Sequence, residues 1–264
     1  MSVRSVEDSG PPESMAPRVP SEDPSGMTDL ETNTAAAAAS GTWTLGDLTV
    51  RRIGFGAMRL PQTGTALVPG ARPRDRNEAI GVLRRAVELG VNHIDTAAFY
   101  FSPLRSANEA ERFGVLAELR EAGLIRHLGL SNVTPEHLAE AREIAPVVCV
   151  QNMYGIGVRP DQDAFVRHCG EQGVAFVPFY ALAADGRQAG ATGREHEEVR
   201  AVARARGVTP AQVRIAWTLH RGPHVLAIPG TGDPAHLEAN VAAGALRLTD
   251  GELARLEAVH RGRG

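Results

Sequence analysis

Short apolar segments alternate with amphipathic ones along most of this chain, and this alternation constrains its fold more than any other feature. The amphipathic stretch "RNEAIGVLRRAVELG" precedes the apolar run "VNHID", and "NEAERFGVLAELREAG" precedes "LIRHLGLSN". Glycine ends both amphipathic stretches, as it commonly ends helices. The faces predicted to be buried are Ile80, Leu83 and Val87 in the first helix and Phe113, Leu116 and Leu119 in the second. The pattern is typical of repeated βα units.

About six strands are predicted, near residues 53, 92, 126, 147, 174 and 225. Strands that are joined by single helices run parallel with right-handed crossovers, so helices cover the sheet. An open doubly wound sheet and a barrel both satisfy this condition. The open sheet usually carries Gly-x-Gly-x-x-Gly in its first turn, whereas "GFGAMRL" holds only Gly54 and Gly56. The sequence therefore favours a (β/α) barrel of the TIM type.

The carboxyl ends of the strands, here called the rim, carry the chemistry in such barrels. The residues predicted to lie at the rim are Asp95, Ser131, Asn132, Gln151, Phe179 and Gly230. Three helices are predicted to begin at a capping residue followed by proline, namely at Thr134, Thr209 and Asp233. The capping oxygen accepts a hydrogen bond from a free amide, and proline is tolerated at the first helical position.

Composition separates a leader from one folded domain. Residues 1–41 are rich in Ser, Pro, Ala and acidic residues and contain no aromatic residue, which predicts a disordered leader, with the domain at 42–264. The net charge of −3, without a basic stripe, argues against a nucleic-acid partner. Without a long apolar segment or a secretion signal, we expect no membrane contact and a cytoplasmic location. Cys149 and Cys169 lack metal-ligand spacing, so no metal is expected.

Several segments together resemble the aldo-keto reductase family, over residues 43 to 260. They are "IGFGAMRL", "GVNHIDTAAFY", "GLIRHLGLSN", "VVCVQNMY", "VPFYALA" and "IPGTGDPAHLEANVAA", in the family's order. The resemblance implies a (β/α)8-type barrel that binds NADP(H) along the rim and acts on a small-molecule carbonyl or alcohol. It implies that Ser131, Asn132 and Gln151 hold the nicotinamide carboxamide and that Phe179 stacks on the ring. The residues implied around the adenosine phosphate are Gly230, Thr231, His236 and Asn240.

A glycine-rich turn before a helix also presents free amides and a positive dipole end to an anion. The turn here is "PGTGDPAH". Asp233 brings a negative charge close to the expected phosphate, and no arginine follows within the turn.

The catalytic group departs from the family pattern. The family uses Asp, Tyr, Lys and His, and Asp95 and Tyr100 match the first two. The chain contains no lysine, so all 28 residues in the Lys+Arg count are arginine. The expected lysine and histidine would end two strands that this sequence skips between Tyr100 and "LIRHLGLSN". At about 30 residues per βα unit, roughly 60 residues are missing, so the barrel is predicted to be truncated, narrowed or incomplete.

The loss of the lysine leaves three functions open. The first is a weakened NADP(H)-linked oxidoreductase in which Tyr100, with a pKa near 10, is a poor proton donor unless Arg105 supplies a positive charge. The second is a cofactor-independent cyclase, dehydratase or isomerase, as in natural-product pathways, with Asp95 and Tyr100 moving protons. The third is a non-catalytic module that binds the nicotinamide cofactor. An exposed strand edge at the deletion would also favour a homodimer.

Overall fold

A computed structural model describes residues 36–60, 63, 74–96, 109–123, 126–182 and 195–262 of this chain. The strands are β1 (Thr42–Leu45), β2 (Leu48–Arg51), β3 (Phe55–Gly56), β4 (Ile94–Asp95), β5 (Leu128–Ser131), β6 (Val147–Gln151) and β7 (Ala175–Phe176). The helices are α1 (Arg76–Glu88), α2 (Glu109–Glu121), α3 (Pro135–Ile144), α4 (Asp163–Glu171), α5 (Glu197–Arg206), α6 (Pro210–His220), α7 (Pro234–Ala242) and α8 (Asp250–His260). None of the helices in the described ranges is long and apolar enough to cross a membrane.

The predicted parallel pairing is confirmed. β3 pairs with β4, and β6 pairs with β5 on one side and β7 on the other, all in parallel. The extended segment 224–227 lies between β3 and β7, because the amide of Gly54 donates to Ala227 O at 2.7 Å and that of Leu226 donates to Phe176 O at 2.9 Å. The strands thus follow one another in space as β4, β3, 224–227, β7, β6, β5. No backbone pairing joins β4 to β5 in the described part of the chain.

An antiparallel hairpin, β1 and β2, covers the amino-terminal ends of the parallel strands. Its turn contains Gly46 at φ 61°, a left-handed conformation that glycine adopts without strain. Trp43 and Leu45 are partly buried and pack against Val50 and Leu226. The alternating pattern "TWTLGDLTV" with its Gly-Asp turn could have predicted this hairpin, but it was not among the predicted elements.

The expected helix starts are confirmed. Thr134 Oγ1 accepts a hydrogen bond from the amide of His137 at 3.3 Å, and Thr209 Oγ1 accepts one from Gln212 at 3.2 Å. At α7, Asp233 Oδ1 accepts from the amides of Ala235 and His236.

The predicted buried face of α1 is partly wrong. Val82 and Ala86 are buried, whereas Val87 is 58% exposed. Val82 and Ala86 pack in one apolar cluster with Ile53 and Phe55, so the buried face of α1 is turned away from Val87. In α2, Phe113 is buried as predicted but Leu116 is 39% exposed; the side chain of Leu119 lies outside the described part.

Residues 36–41, at the end of the predicted leader, contact the rest of the described chain. Ala37 is fully buried, and its amide donates to Leu89 O at 3.0 Å. Ser40 Oγ accepts a hydrogen bond from the amide of Ile53 at 3.1 Å. Residues 36–41 therefore belong to the folded part, since their small side chains fill the space beside α1 and β3.

Candidate active site

A cleft of about 1150 Å³ opens at the rim. Of the residues predicted at the rim or around the cofactor, those that line it are Asp95, Ser131, Asn132, Gln151, Phe179, Gly230, Thr231 and His236. Asn240 is buried on the side of α7 that faces the core, and it is not among the lining residues. Tyr100 and Arg105 lie outside the described residues.

The carboxylate of Asp95 is held at the end of β4 by an amide. Gln151 Nε2 donates to Asp95 Oδ1 at 2.8 Å, so the carboxyl ends of β4 and β6 are joined by side chains. A carboxylate only accepts hydrogen bonds, so the amide nitrogen of Gln151 must face Asp95. The Oε1 atom of Gln151 then remains as an acceptor for a ligand amide.

Within the described residues, His93 and Cys149 sense the charge of Asp95, and both are neutral at pH 7. Burial lowers the pKa of His93 to about 4, although the negative charge of Asp95 opposes this change. Burial, and then the charge of Asp95, raise the pKa of the Cys149 thiol to about 11. Neither side chain can therefore provide the positive charge that a lysine would provide in this family.

Ser131 and Asn132 lie beside Gln151 because β5 and β6 pair in parallel, with Ser131 opposite Gln151. The amide of Asn132 donates to Gln151 O at 3.1 Å, and Asn132 takes a left-handed φ of 58°. Asparagine tolerates this conformation better than most residues. The chain thus turns away from the strand while the Asn132 side chain stays at the cleft.

Two aromatic rings follow β7. The amide of Phe179 donates to Asn152 O at 3.1 Å, and Phe179 O accepts from the amide of Tyr154 at 3.3 Å. Its ring lies edge-on to that of Tyr180, with centroids 5.3 Å apart. Tyr180 has a left-handed φ of 58°. Both rings line the cleft. Such strain in a non-glycine residue is common at functional sites.

The turn before α7 differs from the expectation of free amides. Asp233 Oδ1 accepts from the amides of Ala235 at 2.8 Å and His236 at 3.2 Å, and these bonds hold its pKa below the ordinary value. The carboxylate therefore takes the place that an anion was expected to occupy. It does so because aspartate is among the best capping residues.

Backbone segments approach closely at Gly230 and Gly56. A Cβ atom on Gly230 would overlap Gly56 O, and one on Gly56 would lie 2.6 Å from Ile228 O. The absence of side chains leaves bare backbone at the rim between β3 and the turn, which suits close contact with a ligand.

Two arginines were missed by sequence reasoning. Arg59 and Arg74 come from the connection between β3 and α1, and both line the cleft. Arg74 Nη1 donates to Gly232 O at 3.2 Å, although the two residues are 158 positions apart. The sequence does contain one signal for these two residues: the connection follows the carboxyl end of β3 and holds several arginines.

A buried ion pair forms another part of the cleft wall. Arg214 Nη2 lies 2.6 Å from Glu195 Oε1, with the side chains 3% and 9% exposed. Arg214 Nε donates to Glu195 Oε2 at 3.1 Å, so the contact is bidentate. This ion pair holds the segment that precedes α5 against α6.

Parallel strands alternating with helices, with a large cleft at the carboxyl ends of the strands, are typical of the (β/α)-barrel class of proteins. The aldo/keto reductase family model matches the chain in two parts, residues 52–113 and 103–261. The chain belongs to the aldo/keto reductase family.

Curated relatives match most of the chain. It is 36% identical over 295 residues to pyridoxine 4-dehydrogenase of Escherichia coli K12, covering 84% of this chain and 99% of the relative. It is 30% identical over 286 residues to an uncharacterized oxidoreductase of Schizosaccharomyces pombe, covering 84% and 90%.

Solved structures show the same fold. An aldo-keto reductase from Klebsiella pneumoniae in complex with NADPH aligns with a TM-score of 0.69 at 22% identity, over 83% of this chain and 94% of that one. A thermostable aldo-keto reductase in complex with the inhibitor epalrestat aligns with a TM-score of 0.66 at 22% identity, over 83% and 99%.

Proposed function

We propose that this protein is an NADP(H)-linked oxidoreductase that interconverts a small carbonyl compound and its alcohol, with weakened chemistry. The observation that carries the proposal is that one continuous cleft contains both the Asp95–Gln151 pair and the turn at Gly230. The 36% identical pyridoxine dehydrogenase and the fold neighbour in complex with NADPH support the same reaction and cofactor.

The donor and acceptor groups of the cleft fit the cofactor. Ser131, Asn132 and the Oε1 atom of Gln151 would hold the carboxamide, and Phe179 would pack on the nicotinamide ring. NADPH, when bound, supplies a hydride for the carbonyl carbon. Tyr100 would donate the proton to the carbonyl oxygen, and Asp95 would orient Gln151 and set the charge near the substrate.

We attribute the weakened chemistry to an internal deletion. Because 84% of this 264-residue chain is about 222 residues, about 73 of the 295 positions aligned with the bacterial relative have no counterpart here. This number is close to two βα units, the units that would carry the lysine and the histidine. Without a neighbouring cation the pKa of Tyr100 would stay near 10, where a phenol is a slow general acid at pH 7.

A cofactor-independent proton-transfer enzyme is the second candidate. The observation in its favour is that Asp95 bonds to a neutral amide, with neutral His93 close by. A carboxylate that is held by an amide at the cleft is placed to act as a general base without a nicotinamide cofactor.

An NADPH titration followed by ligand fluorescence, with NADH for comparison, tests the first candidate. We expect saturable binding, and slow NADPH-dependent reduction of pyridoxal that falls at least tenfold in Tyr100→Phe while the Kd stays within about twofold. Asp95→Asn should also slow this reduction, whereas its matched control Asp47→Asn, in the hairpin at the opposite end of the strands, should leave the rate unchanged. If the wild type binds neither NADPH nor NADH, the redox function is rejected and the second candidate remains.

A further inference from the structure

The turn at Gly230–Asp233 needs a positive charge if it is to hold a phosphate group. Its first-turn amides are bonded to Asp233, and the turn itself contains no basic residue before His236. The helix start by itself is therefore not an anion site. A phosphate at this end of the cleft requires a cation from another part of the chain.

Arg74 lies at the required place. Its Nη1 atom donates to Gly232 O at 3.2 Å, and a Cβ atom on Gly232 would overlap its guanidinium carbon. The guanidinium thus packs directly on the glycine of the turn, and a side chain at this position would displace it. Its Nε atom is shielded from water and donates to no group within the described residues. An oxyanion could accept the missing hydrogen bond, since the guanidinium fork matches phosphate oxygens.

Arg59 adds a second positive charge to the same wall. It follows β3 in a short helical turn, Ala57–Arg59, and lines the cleft with Arg74. Burial, and then the charge of Arg74, lower the pKa of Arg59.

Two carboxylates share this end of the cleft. Glu78 Oε2 lies 3.7 Å from Arg74 Nη1, but the Glu78 side chain is 65% exposed, so this ion pair is weak. Asp233 is occupied by the amides of α7. Glu78 can turn toward solvent when an anion approaches, whereas Arg74 is held in place by the turn.

We propose that Arg74, supported by Arg59, binds a phosphate group of the dinucleotide, and so replaces the basic residue that the turn before α7 lacks. The inference rests on the proposed cofactor. The positive charge that binds the phosphate then comes from the connection between β3 and α1 and not from the turn before α7. Gly232 is part of the site because it admits the guanidinium.

Binding of NADPH, NADH and adenosine 2′,5′-bisphosphate to the full chain tests this proposal. Arg74→Met, which keeps much of the stem and removes the charge, should raise the Kd for NADPH and for the bisphosphate at least tenfold. Gly232→Ala should act in the same direction by displacing the guanidinium. Glu78→Gln should tighten binding about two- to threefold. Arg76→Met, which removes an exposed arginine of α1 two positions away, should change the Kd less than twofold.

The dinucleotides identify the phosphate involved. If Arg74→Met weakens NADPH but not NADH, the contact is to the 2′-phosphate; if it weakens both equally, the contact is to the pyrophosphate. Unchanged binding in folded Arg74→Met and Gly232→Ala would overturn the inference while leaving the cofactor proposal intact. If the wild type binds the bisphosphate through Arg74 but does not reduce a carbonyl, the redox function fails and the phosphate site stands. If the wild type binds none of the three ligands, both are rejected.

Discussion

The side chains around Asp95 determine which chemistry its carboxylate can support. The family pairs this aspartate with a lysine, and this chain contains none. The structure instead gives Asp95 the amide of Gln151 at 2.8 Å, with a neutral imidazole and a neutral thiol within reach of its charge. An amide orients a carboxylate without adding charge, which is why the proposed function has weakened chemistry.

His93 should make the fold sensitive to mild acid. Burial lowers its pKa to about 4, below the value of about 6.5 expected in the unfolded chain, and both ring nitrogens are shielded from water without partners in the described part. Between these two pH values the unfolded chain binds the additional proton. The contribution of His93 to stability is therefore complete above about pH 6.5 and is lost as the pH falls through about 4.

Urea unfolding at several pH values measures this contribution. From pH 7 to pH 4 we expect the free energy of unfolding of the wild type to fall by about 2–3 kcal/mol more than that of His93→Gln. His168→Gln removes an exposed imidazole and should keep the wild-type slope. Parallel pH profiles for the wild type and His93→Gln would contradict the prediction.

Among the elements, α5 and α6 are joined at the cleft by a charged contact. Glu195 stands just before α5, and Arg214 lies within α6. Arg214 also donates from Nη1 to Ile156 O at 3.1 Å, so the guanidinium ties three segments together. A buried arginine of this kind depends on its carboxylate, because a charge left without its partner in the interior is costly.

Glu195→Ala should therefore destabilise the protein by about 3 kcal/mol, measured by urea unfolding with tryptophan fluorescence. Glu197→Ala is the matched control, because Glu197 pairs with Arg200 and Arg204 at the surface and should cost less than about 1 kcal/mol. The double variant Glu195→Met, Arg214→Met should recover much of the loss. If Glu195→Ala and Glu197→Ala lower the free energy of unfolding equally, the buried pair stabilises the protein no more than the surface pairs do.

At the scale of the whole molecule, the strand array ends at β4 on one side and β5 on the other in the described part of the chain. Ile94 of β4 is 45% exposed at this end. Unpaired strand edges with apolar side chains tend to be covered by another chain. We expect a second copy of this protein to cover the edge.

Size-exclusion chromatography with light scattering should give twice the chain mass of 28.0 kDa. Ile94→Arg should shift the protein to the single-chain mass, because the charge would be buried in the interface. Val87→Arg changes an exposed valine of α1 and should leave the dimer intact. A wild-type monomer at all concentrations would refute the expected dimer.

The sequence by itself determined what depends on neighbours in the chain or on simple rules of topology. The strand segments, the parallel pairing and the caps at Thr134, Thr209 and Asp233 follow from apolar periodicity and local hydrogen bonding. The convergence of Asp95, Ser131, Gln151 and Phe179 at one rim follows from a general rule, since parallel strands bring their carboxyl ends together.

Only the tertiary structure decided which distant groups meet. Local sequence does not predict the Asp95–Gln151 bond or the contact of Arg74 with Gly232 across 158 positions. It does not predict the exposure of Val87 either. Asp233 shows the same limit, because a cap and an anion site compete for the same amides and the sequence is compatible with both. The reason is physical: periodicity reports which face of a segment is apolar, whereas pairing of polar groups depends on separations of a few ångströms that packing sets.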